Sequence, residues 1–521
     1  MIADCKFRRH QVSLDHILTD THRFHRRILA CLVLVFCFAV RSLPADEFAK
    51  PNIILFFVDD FGQRDLSCYG SSLYETPHMD RLAADGMRFT NAYAAHPRCV
   101  PSRQGLLSGK YPSRVQFESD QAGRHEHQLP LIEFTFGEAL KEFGYRTCYI
   151  GKWHLGKEGG DPGAQGFETV IHAGSAGATG DYFFPFPTEK GLSVLNPVGG
   201  KEGDYLTDRL TDKAVEYIAA NKDAPFLLVM AHYAVHTPLQ APEDVKDKYV
   251  KKLRKTGIEQ GGKKTDPDFI IDRSGTVKTV QNNPTYAAMV EKTDDSLGRI
   301  LAAIKECGIE DNTAVILTSD HGGLSTRGLN NNRALATSNV PLRQGKGSIF
   351  EGGTRVPLIF KWPGNVKAGS TSNVQVTGTD HYPTMLDVAG APLRQKQHVD
   401  GRSYLKALQG ETYQRDGMFW YKWQARPDST GDTRAISYIE GNFKIIEWLD
   451  EDLTELFDLS KDIGEQTNLA EQMPQRTQKM LKTLHQIEQD VGDLREKGRK
   501  NLERRLEKLL ERKNSPQDAG K

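Results

Sequence analysis

The sequence predicts an α/β protein: a large, mixed but mostly parallel sheet flanked by helices, followed by a smaller C-terminal subdomain of antiparallel strands and a helix. Three observations support this. Apolar runs at residues 53–58, 226–230 and 314–317 have the form of strands buried on both faces. Segments with helical apolar spacing separate them, at residues 135–143, 208–220 and 286–307. Beyond Gly390 the pattern changes to short strand-like runs around Glu440-Gly441-Asn442, a hairpin signal.

In chain order, Arg23, Arg26 and Arg27 precede an apolar run over residues 28–40, and Leu43-Pro44-Ala45 offers a cleavage site. Residues 1–45 are therefore expected to be a signal peptide with an extended N-region, directing the protein to the periplasm or the extracellular space. The run is too short to span a bilayer comfortably, so no stable membrane insertion is expected after cleavage. The main α/β domain is expected over residues 46–390. Its strand-like runs end in polar residues: Asp59-Asp60 after the first, His232 after 226–230, and Thr318-Ser319-Asp320-His321 after 314–317. A further strand at 147–150 leads into Gly151-Lys152-Trp153-His154. Open α/β sheets bind ligands at that carboxyl edge. In the helix at 286–307, Ala287, Val290, Leu297, Ile300 and Leu301 are placed to face the core. Residues 391–494 form the C-terminal subdomain, with strands at 436–439, 443–446 and 454–459 and a helix striped by Met480, Leu484, Ile487, Val491 and Leu494. Residues 495–521 are a charged tail that reads as a solvated or frayed helix.

Sixty-eight basic residues balance 68 acidic ones. That excludes a dedicated nucleic-acid binder, which needs a basic excess. Of seven cysteines, Cys5, Cys31 and Cys37 lie in the signal segment; Cys68, Cys99, Cys148 and Cys307 are too widely spaced for a disulfide framework. Lysines 246, 248, 251, 252, 255, 263 and 264 form either a solvated face or a basic rim for a polyanionic glycan.

Cys99-Val100-Pro101-Ser102-Arg103 places a thiol at a helix start, with Pro101 suited to the first helical position. The helix dipole, Arg98 and Arg103 then make a positive patch facing Cys99, the setting of a reactive thiol. Adjacent carboxylates repel unless a cation or proton separates them, so Asp59 and Asp60, with Asp320 and His321 delivered to the same edge, point to a divalent metal. Strand-ending turns and N-caps are the alternative. Lys152 with His154, His232 with His236, and Lys346 in the glycine-rich run 344–357 complete the candidates. The glycines flanking Lys346 would let backbone approach a ligand closely. Arg327, Asn330 and Arg333 are candidates to line a substrate pocket.

These blocks, Cys99-Val100-Pro101-Ser102-Arg103 continuing to Leu107-Ser108-Gly109, Gly151-Lys152-Trp153-His154-Leu155-Gly156, His236-Thr237-Pro238, and Glu455-Leu456-Phe457-Asp458-Leu459 near the C-terminus, resemble those of the type I sulfatases of the alkaline-phosphatase-like superfamily. The resemblance implies hydrolysis of a sulfate ester, with a sulfated carbohydrate as the expected substrate. It implies that Cys99 is oxidised by a formylglycine-generating maturation enzyme to 3-oxoalanine (formylglycine), whose hydrate is the nucleophile, steadied by Arg103. It further implies one divalent metal held by Asp59, Asp60, Asp320 and His321. Calcium is usual, and Mg2+ or Mn2+ is compatible because His321 stands where many members carry Asn. Lys152 and Lys346 become sulfate anchors, His154 the base that releases sulfate, and His236 the acid for the leaving oxygen. The rival activity is that of a phosphodiesterase or phosphonate monoester hydrolase of the same superfamily. A non-catalytic secreted glycan-binding protein is the alternative from another class.

Overall fold

The structure, a computed structural model, describes residues 50–514 apart from 122–127, 158, 188–192, 259–267 and 330. The expected signal segment, Lys263, Lys264, Asn330 and the end of the tail lie outside the described residues. The main sheet has eight strands in the order Ser370–Ser372, Met87–Phe89, Leu358–Lys361, Thr313–Ser319, Asn52–Val58, Phe226–Ala231, Arg146–Gly151 and Thr169–Ile171. Asn52–Val58 runs at its centre, parallel to both neighbours, with Ile54 level with Leu228 on one side and Val315 on the other. Leu358–Lys361 alone runs against its neighbours.

Alternate side chains of the central strand serve opposite faces. Ile54, Phe56 and Val58 pack against the helices Leu206–Asn221 and Pro284–Glu306 through Leu210, Ala214, Leu297 and Ile300. Ile53, Leu55 and Phe57 meet Phe136–Glu142, His381–Ala389 and Cys99–Ser108 through Leu140, Met385, Leu106 and Leu107. Each such side chain contributes roughly 1.5–3 kcal/mol on full burial. That explains why the central strand reads as an unbroken apolar run, and the cost of moving it holds Asp59 and Asp60 in place. The helix ends are set by caps just outside the apolar stripe. Thr135 and Glu138 exchange side chain to backbone bonds of 3.1 and 2.8 Å. Asn283 accepts from the amides of Thr285 and Tyr286 ahead of Pro284 at the first turn.

The C-terminal sheet is ordered Met418–Lys422, Ala435–Glu440, Phe443–Trp448 and Leu453–Asp458, all antiparallel. The last three were expected; Met418–Lys422 was not. It shows no alternation because both its faces are covered. Met418 and Trp420 pack with Tyr93 and Phe350 of the main domain, whereas Phe419 and Tyr421 pack with Met480 and Leu484 of the helix Pro474–Val491. Buried ion pairs bind the two parts together: Lys444 reaches Glu351 at 2.9 Å and Glu465 at 2.8 Å, and Arg355 reaches Glu351 at 2.6 Å. Glu351 belongs to the glycine-rich run, so this network fixes the loop that carries Lys346. Leu494 is buried and leads into a second helix, Arg495–Asn514, most of whose described side chains are at least partly exposed.

Candidate active site

Asp59 and Asp60 follow the central strand directly, and Asp60 adopts a left-handed backbone at φ 59°. That conformation costs a non-glycine residue of order 1–3 kcal/mol and is held by its surroundings. Asp320 extends the neighbouring strand Thr313–Ser319, and its Oδ1 accepts the Asp60 amide at 3.1 Å. The turn that follows is locked against the glycine-rich loop. A Cβ on Gly322 would stand 1.8 Å from the Gly352 carbonyl oxygen, and one on Gly345 2.4 Å from that of Gly323. These glycines serve loop-on-loop packing. The consequence is functional: Lys346 Nζ lands 2.6 and 2.9 Å from the two carboxylate oxygens of Asp60.

Cys99 opens the helix Cys99–Ser108 with Arg98 as its cap residue. Pro101 is therefore the third helical residue and not the first, because the chain is already helical at Cys99. Arg98 also departs from expectation. Its guanidinium turns away to Asp432 at 2.6 Å and Thr430 at 3.0 Å. The positive surroundings of Cys99 come instead from Lys152, Lys346 and His321: burial raises the thiol, and these three charges outweigh it and hold it well below the ordinary thiol value. Arg103, fully buried, spans two carboxylates, its Nε 3.1 Å from Asp320 Oδ2 and its Nη2 3.4 Å from Asp59 Oδ1. Lys152 completes the cluster at 2.5 Å from Asp59 Oδ2. Burial alone would raise Asp59 and Asp60, but Lys152 and Lys346 respectively hold both below the usual carboxylate range.

Cys99 Sγ lies 3.2 Å from His321 Nε2, which is 3.3 Å from Asp60 Oδ1. One ligand atom from each of Asp59, Asp60, Cys99 and His321 falls within 4.8 Å of all the others, and all four residues are buried. This donor set fits a cation. Burial lowers His321, but Asp320 and the Cys99 sulfur outweigh it and raise it to about 9, so without a metal both ring nitrogens carry protons; Nδ1 faces the Gly322 carbonyl at 3.0 Å, so a cation that displaces the Nε2 proton would meet a lone pair directed toward the carboxylates. Asp320 stands beside this group, its Oδ1 3.6 Å from His321 Nε2.

Above Cys99 opens a cavity of about 250 Å³ lined by, among others, His154, His236, Arg333 and Lys346. His154, left-handed at φ 63°, is kept neutral: burial lowers its pKa, opposed by its hydrogen bond to the Cys99 sulfur. His236 is lowered to about 4, first by burial and then by Lys346, and its Nε2 stands 3.8 Å from Asp60 Oδ2. Arg333 reaches the cavity and donates to Thr237 at 2.9 Å. His232 and Arg327 are not in it. His232 bonds Ser296 at 2.9 Å beneath the sheet edge, and Arg327 is buried with one donor on the Arg333 carbonyl.

The comparisons with known proteins follow the same outline. Residues 51–391 match the sulfatase family. The chain belongs to that family. Residues 345–493 match the C-terminal region of N-sulphoglucosamine sulphohydrolase. A sulfatase of Formosa agariphila is 30% identical, over 88% of this chain and 91% of its own. An N-acetylgalactosamine-6-O-sulfatase of Bacteroides thetaiotaomicron is 27% identical over 84% and 93%. Among solved structures, Ps i-CgsB in complex with k-i-k-neocarrahexaose superposes with a TM-score of 0.68 at 28% identity, covering 85% of this chain and 94% of that one. This protein is a sulfatase enzyme of the alkaline-phosphatase-like superfamily. Its pocket also contains side chains that motif reading missed: His96, Trp423, Gln424, Arg426 and Thr430. All but His96 lie just beyond the unpredicted strand Met418–Lys422, so missing the strand hid the wall it supports. Among the surface lysines, 246, 248 and 252 are paired with Glu243, Glu75 or Glu291, which makes them a salt-bridged face and not a free basic rim.

Proposed function

We propose that this sulfatase removes sulfate from a sulfated carbohydrate by way of position 99, matured from cysteine to formylglycine, beside one divalent cation held by Asp59, Asp60, Asp320 and His321. The observation that carries this reading is the placement of Cys99 Sγ, 3.2 Å from His321 Nε2 and amid Asp59 and Asp60, at the floor of a cavity open to substrate. When present, the aldehyde hydrate supplies a nucleophilic oxygen and the cation, most simply Ca2+, supplies charge stabilisation. The chain's own residues do the rest. Arg103 bridges Asp59 and Asp320 and keeps the acidic cluster from opening. Lys346, on the cavity wall, and Lys152, buried against Asp59 within electrostatic reach of position 99, hold sulfate oxygens by charge-assisted bonds. His154, neutral and in contact with position 99, takes a proton there. His236 is neutral in the free enzyme; an arriving sulfate raises its proton affinity, so substrate binding itself loads the proton destined for the leaving oxygen.

A carbohydrate substrate is supported by the printed activity of the Bacteroides relative and the saccharide bound to Ps i-CgsB. Export is supported by the basic and apolar segment before residue 46; among the described residues no helix is long and apolar enough to cross a membrane. The test compares p-nitrophenyl sulfate with a phosphate diester on enzyme coexpressed with a maturation system, alongside mass spectrometry of the Cys99 peptide. Expected are the aldehyde and a preference for the sulfate. A preference for the diester would favour the phosphodiesterase reading, and an unmodified thiol without turnover would favour the glycan-binding one.

A further inference from the structure

The helix Arg495–Asn514 begins where the match to the family's C-terminal region ends, at residue 493. It is nevertheless built into the molecule. Gly498 lies so close to the loop after Met418–Lys422 that a Cβ there would stand 2.1 Å from the Trp423 carbonyl oxygen. Arg434 donates to the Arg495 carbonyl at 2.6 Å, and Arg505 forms a two-pronged ion pair with Asp428, one prong 2.7 Å long. Between this helix and that loop lies a second cavity of about 400 Å³, lined by Gln424, Ala425, Arg426, Asn501, Arg504, Arg505 and Lys508. Among the described residues no carboxylate lines it, although Asp428 holds Arg505 from the side. Gln424 and Arg426 also line the cavity above Cys99, so the two spaces adjoin along a shared wall.

Arg426 is the informative residue. It is half-buried, and among the described residues its guanidinium makes no ion pair, while Arg98, whose charge is directed to Asp432, crowds it with like charge. Repulsion from Arg98, then burial, lowers it to about 10. Asp432, already engaged by Arg98, offsets this only in part, and a half-buried guanidinium with no carboxylate in contact carries a cost that an anion relieves. Arg504 and Lys508 are one helical turn apart on the facing helix and exposed; Arg504 donates to Asn501 and to the Lys500 carbonyl within its own helix, and neither forms an ion pair among the described residues, so both add positive charge to the cavity.

We infer that this cavity is an anion subsite for the substrate's neighbouring sugar, so that the enzyme prefers saccharides bearing a second sulfate or carboxylate beyond the ester that reaches Cys99. The inference rests on the reading of the first cavity as the sulfate-ester site only for its kinetic arm. The probe is sucrose octasulfate, a compact polysulfated saccharide, with glucose 6-sulfate as the monoanionic control. For R504A/K508A we expect the octasulfate to inhibit p-nitrophenyl sulfate hydrolysis about tenfold more weakly than in the wild type, with a shallower salt dependence. The inhibition constant of glucose 6-sulfate and kcat/KM for the aryl sulfate should stay within twofold. A G498L variant, which displaces the helix with every charge retained, should weaken the octasulfate in the same way. Unchanged inhibition in R504A/K508A, or an equal loss for both saccharides, overturns the inference. Should the wild type hydrolyse no sulfate ester, the proposed function fails separately; calorimetric binding of the octasulfate to wild type and R504A/K508A then decides the subsite, with equal affinities refuting it.

Discussion

The imidazole of His154 lies flat on the backbone of Gly177, and that contact gives a measure of how finely the site is set. An alanine Cβ at 177 would stand 2.2 Å from His154 Cε1, 2.3 Å from Nε2 and 2.7 Å from Cδ2, where ordinary contact begins near 3.4 Å. G177A therefore pushes the ring back by about 1 Å, the scale at which misplacement of a catalytic group costs on the order of 10²-fold. The ring lies on the cavity wall and its Nδ1 has no partner among the described residues, so the open side into which it is pushed is the substrate cavity itself. The assay is steady-state hydrolysis of p-nitrophenyl sulfate, with thermal unfolding as control. Expected is a fall in kcat of about 10²-fold with a smaller change in KM, since Lys152 and Lys346 still hold the anion. A G177A enzyme with wild-type kcat would refute the assignment of His154 as the proton acceptor at position 99. A matching collapse in KM and melting temperature would show that Gly177 supports the fold instead.

Other outcomes follow from the same geometry. C99A should abolish turnover and leave the fold intact, and C99S should do nearly the same, because a serine hydroxyl cannot become an aldehyde hydrate; residual aryl sulfate hydrolysis by C99A beyond background would reject the nucleophile. Chelation with EDTA should remove activity, restored by Ca2+, with little loss of secondary structure by circular dichroism, because Lys152 and Lys346 already neutralise Asp59 and Asp60. K444M removes a cation paired with both Glu351 and Glu465 and should destabilise the protein by about 3–5 kcal/mol in denaturant titration, the usual cost of breaking a buried pair. His172 and His381 are lowered to about 4, and His232 to about 3, by burial. Between those values and 6.5 the unfolded chain binds more protons, so stability present above pH 6.5 is lost as pH falls, by roughly 1–2 kcal/mol per histidine at pH 5. H232N should flatten that dependence, and a denaturation midpoint unchanged between pH 7 and 5 would contradict it.

Most of the site could be read from the sequence because its residues sit at ends of elements that composition alone defines. An uninterrupted apolar run followed by Asp59-Asp60, and another followed by Asp320-His321, leave little freedom: parallel pairing of the two strands, with Val58 level with Ser319, brings their polar ends together. Periodicity gave three helices to within two residues, and the caps Thr135 and Asn283 fix where two of them start; it left Pro77–Asp85, Glu243–Thr256 and His381–Ala389 unread, and it carried the last apolar stripe to Leu494, past the helix end at Val491. What stayed hidden depends on contacts between distant segments. Arg98 looks like part of the thiol's environment until Asp432, more than three hundred residues on, claims its charge. The strand Met418–Lys422 has no alternation to detect because two different cores cover its faces, and with it went the pocket wall at Trp423 and Arg426.

The division has a physical basis in charge. With position 99 matured and His321 neutral as a metal ligand, Asp59, Asp60 and Asp320 are matched by Arg103, Lys152 and Lys346, so the protein's own charges in the buried cluster sum to zero. A divalent cation held there would leave it two charges positive, and a sulfate monoester brings one negative charge. Substrate thus enters a site with positive charge to spare, and the excess remains to steady negative charge that grows on the leaving oxygen. Replacing Lys346 by methionine tests this. If matching before metal binding is its main role, K346M should unsettle Asp60 and weaken metal affinity. If excess positive charge toward substrate matters, K346M should lower kcat/KM even at saturating Ca2+. The distances of 2.6 and 2.9 Å to Asp60, together with exposure to the cavity, predict both effects at once. A variant that saturates with Ca2+ and then performs as the wild type would confine Lys346 to the first role and remove it from the chemistry.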